Sequence, residues 1–218
     1  MQEDSVLLID KPSGMTSFGV VARVRRKLSQ QLGKKAKVGH TGTLDPFATG
    51  LMIIVTGKEC RNAGTYSKLD KVYEATIRLG QTSSTGDPEG EITDVSDIQP
   101  TLDEVNEALS QFIGEIQQTP PIYSAIKING ERAYKLARKG ETVEMPVRTV
   151  TIYNLELVEY TYPDIKIRVH VSSGTYIRTL AEDIGRVLGT GAYCTQLRRT
   201  KIADFSIDDS AQLDPDQL

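Results

Sequence analysis

Between Asp70 and Gly80 the chain reads DKVYEATIRLG, and its side chains alternate between two faces. Tyr73, Ala75, Ile77 and Leu79 fall on one face, Glu74, Thr76 and Arg78 on the other. A repeat of two is that of an extended chain, so this segment is expected to be a half-buried strand. LMIIVTG, residues 51–57, is instead a short continuous apolar run and reads as a fully buried strand. SVLLID (5–10) is a third apolar strand, and KPSGMTS after it carries the Pro and Gly of a turn. Ser17 then caps a helix in which Val20, Val21, Val24 and Leu28 recur at helical spacing, while Arg23, Arg25, Arg26 and Lys27 populate the remaining surface.

Residues 81–100 are rich in Gly, Ser, Thr, Asp and Pro and read as a long loop with little regular structure. Thr101 and Glu104 have capping-box spacing at the head of a helix with an apolar stripe of Leu102, Val105, Leu109, Phe112 and Ile113, ending near Gly114. Residues 119–150 combine a Pro-Pro break, an Asn-Gly turn and the basic helix-like stretch ERAYKLARKG, and read as an insertion. Residues 150–160 and 165–174 form an antiparallel strand pair joined by Tyr-Pro-Asp. A last helix with Leu180, Ile184 and Leu188 stops at Gly189. Strands and helices in this order describe an α+β protein.

With 218 residues, 39% of them hydrophobic, the chain can bury a proper core. No stretch approaches the roughly 20 apolar residues of a membrane span, and the start MQEDSVLLID has no secretory pattern, so a cytoplasmic location is expected. Cys60 and Cys194 lack metal or disulfide spacing, and only two histidines occur, so no metal site is expected. The net charge of −3 conceals a segregation. Residues 85–118 hold nine acidic side chains and no Lys or Arg, and residues 204–218 hold five and none, which reads as solvated linker and tail. The other 169 residues carry +11, the balance a phosphate-tracking body requires.

Several motifs fail on inspection. Gly50 to Lys58 suggests a phosphate loop, but the gap between its glycines is wrong and Glu59 stands where Ser or Thr would bind magnesium. Ser124 and Lys127 match SxxK without the partner motifs of an acyl enzyme, and no GxGxxG is present. GHTGTLDPFATG (39–50) differs, because one carboxylate, Asp45, stands in the middle of a glycine-broken polar segment leading into an apolar strand. Pro46 biases Asp45 toward extended backbone, and Gly39 and Gly42 leave room for another backbone to approach. Judged alone, an Asp before Pro is a turn former or a helix cap.

The wider pattern overturns that bland reading. KPSGMTS, GHTGTLDPFATGLMIIVTGK, KVYEATIRLG, SSGTYIRTLAEDIG and LRRT, in this order and spacing from about residue 5 to 208, closely resemble the TruB family of tRNA pseudouridine-55 synthases. The resemblance implies the pseudouridine synthase fold, a mixed, largely antiparallel central sheet flanked by helices and loops. It implies conversion of one uridine in the T-stem-loop of tRNA, with Asp45 as the catalytic carboxylate and Tyr73 stacked on the target base and acting later as a base. By the same mapping His40, Tyr176 and Leu197 contact the extruded nucleotide, Arg178 pairs with Asp45, and Lys11 supports the catalytic loop.

These residue types suit the reaction, which breaks the N1–C1′ bond, turns the uracil over and rejoins it through C5. It requires no cofactor, redox step or metal. An aspartate, with an ordinary pKa of about 3.9, is ionised at neutral pH and can act as nucleophile or base. A base inside a folded RNA loop has to be flipped out and stacked on an aromatic ring. Position alone would make Tyr73 and Tyr176 core tyrosines, His40 a surface histidine and Arg178 a solvated charge.

The insertion at 119–150, with net charge +3 and Tyr123 and Tyr134 interleaved, resembles the family's RNA-gripping thumb; otherwise it is an exposed basic helix. The expectation is a single catalytic domain, 1–218, with that thumb-like insertion inside it. No residues remain for the C-terminal PUA-type domain that many members carry. The thumb favours the stand-alone branch of the family, with tRNA as partner and neither guide RNA nor an obligate protein partner.

Overall fold

The computed structural model describes residues 3–128, 130–140 and 143–212, without the side chains of Tyr134, Arg138 and Gln212. The chain begins with β1 (Val6–Lys11), α1 (Ser17–Leu32), β2 (Val38–His40) and β3 (Thr49–Thr56), then a 3-10 turn (Gly57–Arg61), α2 (Ala63–Ser67) and β4 (Lys71–Leu79). There follow β5 (Gln81–Ser83), β6 (Ile92–Asp94), α3 (Leu102–Ser110), β7 (Gly114–Gln118), β8 (Lys127–Ile128), β9 (Glu131–Arg132) and α4 (Ala133–Arg138). The chain closes with β10 (Arg148–Thr161), β11 (Asp164–Val171), α5 (Ile177–Val187), β12 (Ala192–Ile202), β13 (Phe205–Ser206), a 3-10 turn (Ile207–Asp209) and β14 (Ala211–Gln212). Two compact units result. The first joins the chain up to Tyr73 with the chain from Arg198 onward, and the second is Glu74–Leu197.

In the first unit β1 runs antiparallel to β3, from Val6 opposite Val55 to Lys11 opposite Gly50, with β14 parallel on its outer edge. The other edge of β3 is shared. β2 pairs with its end, His40 opposite Ile54, and β12 runs parallel to its start, Arg198 opposite Thr49 and Arg199 opposite Gly50. β3 is buried on both faces, as the unbroken apolar run requires: Leu51, Ile53 and Val55 cluster with Ile202, and Met52 and Ile54 are equally inaccessible. Val6, Leu8, Tyr66, Leu69 and Phe205 cover that cluster. α1 buries Val20, Val21, Val24 and Leu28 and ends on Gly33, whose φ of 64° is the left-handed helix stop. The cap at its start is Thr16 rather than Ser17: the Thr16 hydroxyl accepts from the Gly19 amide. Ser17 is thereby left for another task.

In the second unit the strand order is β4, β11, β10, β7. β4 carries the alternation read from the sequence, with Ala75, Ile77 and Leu79 buried, and β10 and β11 form an antiparallel hairpin contributing Ile152, Ile165, Ile167, Val169 and Val171 to the core. α3, which opens with the Thr101–Glu104 capping box, packs against β10 and α5. Two members of its expected stripe are exposed: Ile113 lies beyond the helix, which ends at Ser110 before Gly114 opens β7, and Leu102 stands at its first position. The segment expected to be an irregular loop holds a small hairpin, β5 with β6, from Gln81 opposite Asp94 to Ser83 opposite Ile92. In the 119–150 insertion the helix is only Ala133–Arg138, preceded by the short pair β8 and β9; Asn129 of the expected Asn-Gly turn lies outside the described residues.

Pairing is mostly antiparallel, with parallel contacts at β1–β14 and β3–β12, and the architecture is α+β. Among the described residues no helix is long and apolar enough to cross a membrane.

Candidate active site

The loop between β2 and β3 carries Asp45, and its neighbours on both sides are tied to other parts of the first unit. Asp45 and Ala48 close a turn, the Ala48 amide donating to the Asp45 carbonyl over 3.2 Å, with Pro46 in the second position that such turns favour. The Ser17 hydroxyl donates to the Leu44 carbonyl and accepts from the Leu44 amide, both at 2.8 Å. The Pro46 carbonyl accepts from the Gly14 amide at 2.8 Å and from the Lys11 ammonium at 3.1 Å, and the Ser13 hydroxyl donates to the Phe47 carbonyl at 3.0 Å. Every residue from 44 to 47 thus makes a main-chain hydrogen bond. KPSGMTS holds Leu44, Pro46 and Phe47, on both sides of Asp45, which gives that turn a chemical reason to be where it is.

Lys11 is fully buried, with its ammonium also donating to the carbonyls of Pro12 at 2.9 Å and Met15 at 2.7 Å. Three carbonyl dipoles make a buried cation tolerable and convert its charge into geometry at residue 46. Arg199 does the same from β12: 1% exposed, it donates from Nε to the Leu51 carbonyl at 2.7 Å and from Nη2 to the Gly42 carbonyl at 3.2 Å. It braces the loop at both ends. Gly50 permits this approach, because at its φ of 109° a Cβ would lie 2.3 Å from the Arg199 carbonyl oxygen. Burial and the neighbouring Arg199 charge push the Lys71 ammonium down to about 8, Asp70 opposing. Lys71 donates to the carbonyls of Ser67 and Leu69.

The other expected residues of this unit have clear positions. Asp45 is half-buried in the loop, His40 half-buried at the end of β2, and Tyr73 is 8% exposed on the apolar face of β4.

The second unit carries Tyr176, Arg178 and Leu197. Tyr176 precedes α5, and the buried Gln118 side chain fixes its backbone, accepting from its amide at 3.0 Å and donating to its carbonyl at 3.2 Å. Arg178, 3% exposed, donates to the carbonyls of Thr85 and Tyr123, each at 2.8 Å, and pairs with Asp87 at 3.0 Å. Asp87 belongs to the stretch read as solvated linker, yet it is 4% exposed and also accepts from the Thr85 hydroxyl and the Glu89 amide. Leu197 is buried in β12. A cavity of about 520 Å³ beside Arg178's partners is lined by Thr85, Gln117, Pro121, Tyr123, Glu182 and Arg186, among others. Burial, then the Asp183 charge, raise the pKa of Glu182 above the ordinary carboxylate range.

Sequence reasoning left Ser17, Asp87, Gln118 and Arg199 without roles in the site. Ser17 and Arg199 had a signal, as parts of the KPSGMTS and LRRT segments; Gln118 acts through the Tyr176 main chain and Asp87 through Arg178, 58 and 91 residues away, which residue type alone does not reveal.

A motif set of this order is a family property, and comparison with known proteins bears on it directly. Residues 25–177 match the model of the TruB family pseudouridylate synthase N-terminal domain, and residues 178–216 that of the tRNA pseudouridylate synthase B C-terminal domain. A tRNA pseudouridine synthase B of Phocaeicola vulgatus is 49% identical over 210 residues, 95% of this chain and 89% of that protein. One of Burkholderia mallei is 46% identical over 211 residues, 97% of this chain and 68% of that protein. Among solved structures, a chain in the crystal structure of a Cbf5-Nop10-Gar1 complex superposes with a TM-score of 0.72 at 32% identity, over 97% of this chain and 53% of that one. This chain therefore spans about half the length of that solved relative. With the family model covering most of the sequence, and a relative 49% identical over 95% of it, the chain belongs to the TruB family of pseudouridylate synthases.

Proposed function

We propose that this enzyme isomerises uridine 55 in the T-loop of tRNA to pseudouridine, acting on the RNA without a guide RNA or an obligate protein partner, in the cytoplasm. The observation that carries this reading is the framing of Asp45: one carboxylate in a loop whose residues 44 to 47 are all held by main-chain hydrogen bonds, within a chain of this family. Such rigidity suits a group that has to meet a reacting carbon in one geometry.

The target uridine is flipped out of the RNA stack and its base lies against Tyr73, with His40, Tyr176 and Leu197 around the nucleotide. By the family resemblance Arg178 is the residue that would pair with the Asp45 carboxylate, in addition to its Asp87 partner. Asp45 attacks the flipped nucleotide or draws a proton from it; the N1–C1′ bond breaks, the uracil turns, and C5–C1′ forms. The proton lost from C5 is balanced by one gained at N1, so no electrons are exchanged with any partner. The Tyr73 hydroxyl takes the C5 proton. The insertion at 119–150, with Tyr123 exposed, grips the RNA.

The test is single-turnover conversion of an unmodified tRNA transcript by the purified protein, read by chemical mapping of pseudouridine. Wild type converts one uridine alone. Asp45→Asn should lose on the order of 10⁴-fold or more in rate while RNA affinity stays nearly intact. Full activity in that variant would remove Asp45 from the mechanism, and dependence on added guide RNA would replace the stand-alone reading with the guided one.

A further inference from the structure

From Lys11 to Lys58 the chain holds nine Lys and Arg against a single acid, Asp45. Three of these cations are committed: Lys11 to the loop, Arg25 to the Val38 carbonyl at 3.1 Å, and Arg23 to the Met15 sulfur at 3.5 Å. Lys27, Lys34, Lys35, Lys37 and Lys58 are exposed.

Their closeness follows from hydrogen bonds around them. The Gly57 amide donates to the Lys37 carbonyl at 2.8 Å, which sets Lys37 beside Lys58. Lys34 pairs with Glu3 at 2.7 Å and Lys58 with Asp4 at 3.5 Å, so two consecutive acids reach both lysines. Hydrogen bonding from the Lys58 amide, with the Lys58 and Lys34 charges, lowers the Asp4 carboxyl below its ordinary value, as expected of an anion in a cationic cluster. Lys27 is exposed on α1, which ends at Leu32, and Gly33 with its φ of 64° turns the chain out of the helix into Lys34.

We infer that this cluster, the turn at Lys34–Lys37 together with Lys58, is a second RNA-docking surface that tracks the phosphate backbone outside the target loop. The inference rests on RNA being the substrate. A row of exposed, flexible ammonium groups with no aromatic side chain among them suits phosphates rather than bases. The surface supplies affinity and leaves sequence selection to the site. Glu3 and Asp4 lie on it as competing anions, held in exposed pairs that are individually weak.

The experiment measures equilibrium binding of an unmodified tRNA transcript at several salt concentrations, with conversion at saturating protein. Replacing Lys34, Lys35 and Lys37 by Gln together should weaken binding on the order of tenfold and flatten the log–log salt slope by about 2–3, as losing three phosphate contacts does. Single-turnover conversion at saturation should stay at the wild-type rate. A double variant, Glu3→Gln with Asp4→Asn, should bind about two- to threefold more tightly by unmasking Lys34 and Lys58. Unchanged affinity and salt slope in both variants overturns the surface. Failure of the wild type to form pseudouridine strikes the proposed function instead, and the binding arms still read the surface.

Discussion

The two units handle charge in opposite ways. The first holds 15 Lys and Arg against 11 Asp and Glu, the second 11 against 18. In the first, the buried cations Lys11 and Arg199 point at main-chain carbonyls around the Asp45 loop. In the second, buried Arg178 meets a buried carboxylate, Asp87, as well as the carbonyls of Thr85 and Tyr123. A carbonyl fixes a cation's position while leaving its field uncancelled; a carboxylate fixes it and balances it. The first arrangement fixes the main chain of the loop that carries an acid. The second ties the β5–β6 hairpin and the insertion to the start of α5.

The largest effect should come from breaking the balanced pair. Asp87→Ala leaves Arg178 buried without that carboxylate and should lower unfolding stability by about 3–5 kcal/mol in denaturant titration. A loss below about 1 kcal/mol would mean the carbonyls alone hold Arg178, erasing the contrast between the units. In the first unit, Lys11→Met keeps the bulk and removes three hydrogen bonds. Conversion at saturating RNA should fall about a hundredfold as the loop shifts, with RNA affinity little changed. A variant that loses affinity instead would place Lys11 among RNA contacts rather than loop supports.

Tyr73→Phe keeps the ring and removes the hydroxyl. A tenfold or greater loss in single-turnover rate is expected if the hydroxyl takes the C5 proton, and an unchanged rate leaves Tyr73 as a stacking platform only. The smallest effect is at Lys71. Its folded pKa, about 8, lies below its ordinary value, so between the two the unfolded chain binds more protons there and stability rises with pH. Wild type should gain on Lys71→Met in thermal stability as pH rises from about 8 to 10; a constant difference would show that Lys71 is not held by burial beside Arg199.

Much of the fold was legible in advance because it rests on periodicity. The alternation at 70–80, the apolar run at 51–57, the buried stripe of α1 and the Thr101–Glu104 capping box all appear where local pattern put them. The departures are local competitions. Thr16 took the cap and freed Ser17 for Leu44, and a segment rich in Gly and Ser still paired as β5 and β6. In the candidate site, Asp45 was legible through a motif, and Lys11's support of its loop is visible in the Pro46 hydrogen bond.

By itself the sequence determined the strongly periodic strands and helices such as β3, β4 and α1, the one carboxylate set in a glycine-broken loop, and the segregation of charge, since these depend on residue type and near spacing. Tertiary structure alone decided which partners hold that loop. Lys11, Ser17 and Arg199 reach it across 35, 27 and 157 residues of chain, and they bind carbonyl and amide groups that every residue carries. Main-chain acceptors leave no mark on composition, so only the folded path of the backbone could reveal them.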